Sequence, residues 1–192
     1  SEYITDILCS KKFRISPLSF YQVNRDQAER LYGKAAEYAA LTGNETVLDL
    51  YCGAGTIGLS MSDKAKQIIG VEIIPEAIED AKINAELNGI ENARFICGDA
   101  PKAAKLLKDE GIAPDVIILD PPRKGCSPEM LETAAAMKPE RIVYVSCDPA
   151  TLARDCGIFK TLGYTAVKAT PVDLFPRTGH IECVTLLTHS AI

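Results

Sequence analysis

A cysteine that ends an apolar run and a glutamate that sits inside another have the clearest capacity for covalent chemistry in this chain. In "RIVYVSCDPATLARDCG", Arg141 to Gly157, the apolar run stops abruptly at Ser146-Cys147-Asp148-Pro149. The thiolate is the nucleophile, and a free thiol with a pKa of ~8.5 is mostly protonated near neutral pH. Cys147 precedes a helix opened by Asp148 and Pro149, and a helix N-terminus favours an anion. Asp148 opposes that effect, so the spacing gives no direction for the net shift. The plainer role for Cys147 is a small side chain at a tight turn. Glu182 lies in "HIECVTLL", in phase with Val184 and Leu186 on one strand face. A carboxylate desolvated on such a face is a stronger base; the plainer role is an exposed charge at a strand start.

Acidic residues end four further apolar runs: Asp49, Glu72, Asp99 and Asp120. The first run continues as "DLYCGAGTIG", in which Gly53 and Gly55 let the backbone turn tightly and approach a ligand. A G-x-G alone is a weak signal, and no G-x-x-x-x-G-K-[ST] loop precedes the following helix. Glu72 stands 17 residues beyond Gly55, where a carboxylate can accept two ribose hydroxyls. A row of acids does not suit a pyrophosphate. It suits a neutral or cationic ligand with a ribose diol, an adenine amine, an ammonium and a sulfonium, and S-adenosylmethionine has all four. Singly, Asp49 and Asp99 are equally readable as caps of the loops that follow them.

The elements that must position these groups alternate between strand and helix. "TVLDLYC" (Thr46 to Cys52), "QIIGVEII" (Gln67 to Ile74), "ARFICGD" (Ala93 to Asp99), "DVIILD" (Asp115 to Asp120) and "RIVYVSC" (Arg141 to Cys147) read as strands buried on both faces. Helices are expected over Asn24 to Leu41, with Asn24 as cap, and over Pro75 to Leu87, stopping at Asn88-Gly89. Others begin at Ser127-Pro128 and at Asp148-Pro149, the last running to Leu162 before Gly163. Thr165 to Thr170 and Ile181 to Thr188 follow without a clear intervening helix, which predicts an antiparallel finish to the sheet. Repeated β-α units with glycine after the first strand mean an open, doubly wound α/β sheet, whose ligands bind at the carboxyl ends of the strands.

The 192 residues suit one domain, with residues 1–45 as a lead-in and helix and 46–192 as the core. A composition 47% hydrophobic and 24% charged is that of a soluble globular protein, and no apolar run approaches the ~20 residues that span a bilayer. A net charge of -5 argues against a large polyanion held by this segment alone. The seven cysteines include no C-x-x-C pair, so neither a disulfide framework nor a zinc knuckle is indicated, and a reducing cytoplasm is the natural setting. Cys97 and Cys183 lie inside apolar runs and are expected in the core.

Six stretches together resemble the catalytic domain of the RNA uracil-C5 methyltransferases, which form 5-methyluridine in ribosomal or transfer RNA. They are "SFYQVN" (Ser19 to Asn24), "VLDLYCGAGTIGL" (Val47 to Leu59), "GVE" (Gly70 to Glu72), "LDPPRKG" (Leu119 to Gly125), "VYVSCDPATLARD" (Val143 to Asp155) and "DLFPRTGHIECVTLL" (Asp173 to Leu187). The first three are shared in part with many methyltransferases; the last three, in that order, are specific. The resemblance implies a Rossmann-like class I methyltransferase fold with a mainly parallel seven-stranded sheet and an antiparallel final strand. It implies that Gln22, Tyr51, Glu72 and Asp120 contact S-adenosylmethionine, with Asp99 near the adenine. It implies Cys147 as nucleophile and Glu182 as general base. The substrate is expected to be RNA, ribosomal RNA ahead of transfer RNA, and the protein a monomer. Family members carry an N-terminal RNA-binding part that cannot fit before Tyr21, and the chain opens on Ser1 rather than Met. A catalytic domain without its RNA-selecting part is therefore expected.

Two other readings compete. Amino-methyltransferases often follow Asp-Pro-Pro with an aromatic residue; here Arg123 stands in that place, and a nucleophilic cysteine would have no task. The other is a cofactor-binding module that only helps hold RNA. Arg123 and Lys124 could hold phosphate or the uracil carbonyls, or be solvated loop charges. His180 could order its loop or contact RNA.

Overall fold

The computed structural model describes residues 3–16, 22 and 24–189. Of the "SFYQVN" stretch, only Gln22 and Asn24 lie among the described residues, and so the rest of that motif is outside them.

The first two strands, β1 (Ile4–Leu8) and β2 (Lys11–Ile15), form an antiparallel hairpin. Then come α1 (Arg25–Ala39), β3 (Thr46–Leu50), α2 (Thr56–Ser60) and β4 (Gln67–Glu72), followed by α3 (Pro75–Leu87), β5 (Ala93–Cys97), α4 (Ala100–Asp109) and β6 (Val116–Leu119). The chain closes with α5 (Pro128–Ala136), β7 (Arg141–Ser146), α6 (Pro149–Thr161), β8 (Tyr164–Val172) and β9 (Glu182–His189). The last seven strands make one sheet in the order β5-β4-β3-β6-β7-β9-β8. Five of them run parallel, and β9 is antiparallel to both β7 and β8, as the sequence pattern predicts. The order reverses between β3 and β6, the kind of switch point at which open α/β sheets bind ligands. Among the described residues no helix is long and apolar enough to cross a membrane.

The helix starts follow local chemistry. Asn24, Ser127 and Asp148 each accept a backbone N–H of the helix that follows, so three expected caps are seen. A fourth cap was legible only as an open alternative. Asp99 accepts the Lys102 N–H at 3.3 Å and starts α4, a helix the strand-helix pattern above omits.

Alternation along each central strand sorts side chains into two layers. Val47, Ile68, Val116, Ile118, Val143 and Val145 face one core, with α1, α2 and the hairpin. Leu48, Leu50, Ile69, Val71, Ile117, Leu119, Ile142 and Tyr144 face the other, with α4, α5 and α6. The exception is β5, whose residues are only partly buried because it is a sheet edge. Cys97 is accordingly exposed and Cys183 half-buried, not core residues as their apolar settings suggested.

The hairpin is docked by an unusual pairing. Asn88, the C-cap of α3, and Asn84 within it each accept from and donate to one residue of β2, Lys12 (2.8 and 2.7 Å) and Arg14 (2.6 and 3.1 Å). Asp80 accepts the Ser16 N–H at 2.9 Å. Four residues of helix rise about 6 Å and two residues of strand about 6.7 Å, so side chains at this helix spacing can serve as a strand edge. Asn84, fully buried, also donates to the Ala54 carbonyl at 3.0 Å and so ties the hairpin to the glycine-rich turn.

Candidate active site

The alternation that builds the core also gathers the acids. Asp49 shares strand parity with Val47, Glu72 with Ile68, and Asp120 with Ile118, all on the α1 side of the sheet. Cys147 continues the parity of Val143 and Val145, and Glu182 that of Val184, onto the same side. The β7–β9 register pairs Ser146 with Cys183. Cys147 and Glu182 are the residues that adjoin this last pair, Cys147 just after β7 and Glu182 at the start of β9. The carboxylate of Glu182 acts on the Cys147 thiol, which agrees with that placement.

Glu182 is 4% exposed, and burial pushes its carboxyl pKa up, with Arg123 pulling the other way. Cys147 is half-buried. Its pKa is raised first by burial, then by Glu182 and Asp120, against a backbone hydrogen bond and Arg123. The α6 N-terminus does little to reverse this, because Asp148 already accepts the Ala150 and Thr151 N–H groups at 2.9 and 3.0 Å. Asp120 is pushed well up by burial and by Glu182 and Asp49.

Asp49 is 1% exposed. Its Oδ2 accepts the Gly58 N–H at 3.0 Å, while its buried Oδ1 has no hydrogen-bond partner among the described residues. Burial, with a smaller push from Glu72, raises its pKa to about 7, the Gly58 hydrogen bond opposing. Glu72 is held firmly: Gly53 donates to one oxygen at 3.1 Å, Ile73 and Ile74 to the other at 2.7 and 3.0 Å. That clamp sets the turn after β3, in which Gly53 and Gly55 both have positive φ. Among the described residues nothing lies within 4 Å of where a Gly53 Cβ would be, so they leave that side of the turn open.

Tyr51 also has a positive φ, 67°, which costs a non-glycine residue energy. The twist breaks strand parity, and Tyr51 packs toward the opposite core, its hydroxyl engaged with Cys126 and near Asp99. Gln22 is buried just ahead of Asn24, and Asn24 donates to the Leu174 carbonyl at 3.0 Å, joining this segment to the loop before β9. The structure thus unites Cys147, Glu182 and Asp120 with Asp49 and Glu72, and sets Tyr51 and Asp99 to one side. It adds Arg123, the cation that acts on both Cys147 and Glu182.

The tRNA (Uracil-5-)-methyltransferase family matches residues 3–190. A Clostridium acetobutylicum protein named an uncharacterized RNA methyltransferase is 55% identical over 184 residues, which are 96% of this chain and 40% of that protein. The chain therefore spans about two fifths of the length of the curated relatives it matches. Among solved structures, the Pyrococcus abyssi tRNA (uracil-54, C5)-methyltransferase, in complex with S-adenosyl-L-homocysteine, superposes with a TM-score of 0.83 at 33% identity, over 98% of this chain and 45% of that one. An S-adenosylmethionine-dependent methyltransferase of Agrobacterium tumefaciens shares the fold, with a TM-score of 0.75 at 17% identity over 98% of this chain and 70% of that one. The chain belongs to the tRNA (uracil-5-)-methyltransferase family.

Proposed function

We propose that this chain is the methyl-transferring part of an RNA uracil-C5 methyltransferase that uses S-adenosylmethionine and a covalent Cys147 adduct. The observation that supports the reading is the end of the β7–β9 ladder, whose last pair Ser146–Cys183 adjoins the Cys147 thiol and the buried Glu182 carboxylate that acts on it.

The residues fit the methyl donor. Among the described residues, the unpartnered Asp49 Oδ1 and the open space at Gly53 leave room for a polar group beside the fixed Glu72 carboxylate. Glu72 is suited to the ribose hydroxyls, Asp99 to the adenine side, and Asp120, Tyr51 and Gln22 to the remaining contacts. S-adenosylmethionine, when bound, supplies an electrophilic methyl group on a sulfonium.

Uracil C5 is a poor nucleophile. Once the Cys147 proton has passed to solvent, the thiolate adds to C6 and the C5–C6 electron pair moves onto the ring as an enolate. C5 then takes the methyl group. Glu182 removes the C5 proton, the C5–C6 double bond re-forms and the thiolate leaves. A desolvated carboxylate with a raised pKa is a better base for that proton, so the burial of Glu182 serves the step. The uracil must be extruded from its RNA to reach the recess.

The finer substrate is proposed to be ribosomal RNA, on the likeness of the whole motif set. Transfer RNA is the second reading, favoured by the Pyrococcus abyssi relative, which is named for a tRNA uracil. All seven cysteines are free, in keeping with a cytoplasmic setting, and the protein is proposed to act as a monomer. The test is incubation with S-adenosylmethionine and 5-fluorouridine RNA, whose C5 fluorine cannot leave as a proton. A denaturation-resistant protein–RNA complex is expected with wild type and not with Cys147→Ala. Full uracil methylation by Cys147→Ala would refute the mechanism. Parallel assays on ribosomal and transfer RNA decide the RNA class.

A further inference from the structure

A second buried polar cluster stands behind the loop that follows β6. Asp155, on α6, is fully buried. Its Oδ2 accepts the Tyr144 hydroxyl of β7 at 2.6 Å and the Cys126 N–H at 2.8 Å. Its Oδ1 takes Nε and Nη2 of Arg154 at 2.8 and 2.7 Å. The Arg154 Nη2 donates onward to the carbonyls of Lys124 and Cys126 at 2.9 and 3.2 Å. One turn earlier, the Thr151 hydroxyl donates to the Arg123 carbonyl at 3.1 Å. One helix thus holds the main chain of residues 123–126 at four points. Gly125 shows how close the fit is. Its φ is +72°, and a Cβ there would lie 2.5 Å from Arg154 Nη2 and 2.6 Å from Asp155 Oδ2.

A buried carboxylate held by a half-exposed arginine is a costly way to fix a loop, since apolar packing of the same volume often stabilises as well. What distinguishes this loop is its cargo. The Arg123 side chain acts on Cys147, Glu182 and Asp148. The groups facing Cys147 are Glu182 from β9 and Asp120 and Arg123 from the segment after β6, with Asp148 next in the chain. Three of the four are acids. Arg123 is the cation that offsets them; its side chain is exposed, and the Thr151 hydroxyl that binds its carbonyl also binds the carbonyl of Asp148, next to Cys147.

We propose that Asp155 is a positioning residue that acts through Arg154 and the main chain of residues 123–126 to hold the Arg123 guanidinium against the Cys147–Glu182 pair. The proposal rests on the reading of Cys147 and Glu182 as nucleophile and base, but its test needs neither RNA nor methyl donor. The rate of Cys147 alkylation by iodoacetamide is followed against pH by peptide mass spectrometry, which separates Cys147 from the other cysteines. Removing or misplacing a nearby cation raises a thiol's pKa and slows the reaction below that pKa. Arg123→Gln is expected to move the midpoint upward and slow alkylation at pH 7.5 about threefold, the greater nucleophilicity of a more basic thiolate offsetting part of the loss. Asp155→Asn is expected to do the same, and Asp155→Asn/Arg123→Gln to be no slower than Arg123→Gln alone, the sign of one shared pathway. A folded Asp155→Asn with the wild-type pH profile, or effects that multiply in the double variant, would overturn the proposal. Should Asp155→Asn not fold, Thr151→Val removes only the bond to the Arg123 carbonyl; a smaller shift in the same direction supports the proposal and an unchanged profile sinks it. Failure of the 5-fluorouridine assay with these alkylation shifts intact would reject the catalytic roles and leave the positioning chain standing.

Discussion

The two ends of the sheet treat carboxylates in opposite ways. At the amino ends of the strands, Glu45 accepts the Thr42 N–H and hydroxyl at 2.7 and 2.8 Å and the Asn44 N–H at 3.2 Å. The Thr42 N–H in particular holds its pKa down at about 2, other hydrogen bonds helping and burial opposing. Asp115, at the same end, accepts the Thr46 N–H at 2.7 Å. At the carboxyl ends, Asp49 has one buried oxygen with no partner among the described residues, and burial pushes Asp49, Asp120 and Glu182 upward. Acids are buried at both ends, so burial alone does not mark a site. What differs is whether the protein itself supplies the donors. Glu72 is instructive because it sits at the carboxyl end yet receives three N–H donors, which belong to the turns after β3 and β4.

If that contrast reflects function, substitutions at the carboxyl end should alter chemistry and those at the amino end only stability. The largest effect is expected from Cys147→Ser. Loss of the proposed nucleophile should reduce methylation by about 10³-fold or more and abolish the adduct with 5-fluorouridine RNA, read by gel shift under denaturing conditions. The next is Glu182→Gln, which leaves addition possible but removes the base. Turnover should fall about 10²- to 10³-fold, while an adduct with ordinary uridine RNA accumulates. Absence of any such adduct would take Glu182 out of the role of base and weaken the contrast between the two ends.

Much of this arrangement was readable before any coordinates, because it depends on period-two alternation. The strands carried their acids at their ends, and a single parity rule puts Asp49, Glu72, Asp120, Cys147 and Glu182 on one side of the sheet. Three things were not readable. Tyr51 leaves the rule through a positive φ that the residue type disfavours, so no local signal announced where its side chain would pack. The hairpin was invisible because the edge of β2 and the residue after it are paired by Asp80 and Asn84, which in sequence look like solvent-facing helix residues, and by Asn88, which looks only like a helix stop. The brace at Asp155 joins residues of β7, α6 and the loop after β6, and only tertiary packing brings them together. Cys97 is exposed for a related reason: an apolar run does not say whether its strand lies at a sheet edge.

Asp49 tests the contrast through stability. Its folded pKa of about 7 lies above the ordinary 3.8, so between those values the folded state keeps a proton that the unfolded state loses. Stability from this group is therefore full below about pH 4 and declines as pH rises to 7, at up to about 1.4 kcal/mol per unit. Asp49→Asn removes the titration. It should raise the unfolding free energy at pH 7.5 by roughly 1–3 kcal/mol and flatten the slope between pH 4 and 7 in urea denaturation. Calorimetric titration with S-adenosylhomocysteine should show weaker binding. A variant destabilised at pH 7.5 would mean that the orphaned oxygen is satisfied by the protein after all.

Glu45→Gln, at the opposite end of the same strand, should give the smallest effect and the opposite sign. The folded pKa of Glu45 is lowered from 4.5 to about 2, so its contribution is complete above pH 4.5 and is lost as pH falls toward 2. Gln can replace one acceptor but not both, and it loses the charge that strengthens these bonds and faces Arg141 at 4.0 Å. Unfolding at pH 7 should become easier by about 1–2 kcal/mol, with the gap between variant and wild type closing between pH 4.5 and 2. Affinity for S-adenosylhomocysteine and the rate of adduct formation should not change. If adduct formation slowed with this substitution, the amino end of the sheet would be coupled to the recess, and donor satisfaction would no longer separate structural carboxylates from functional ones.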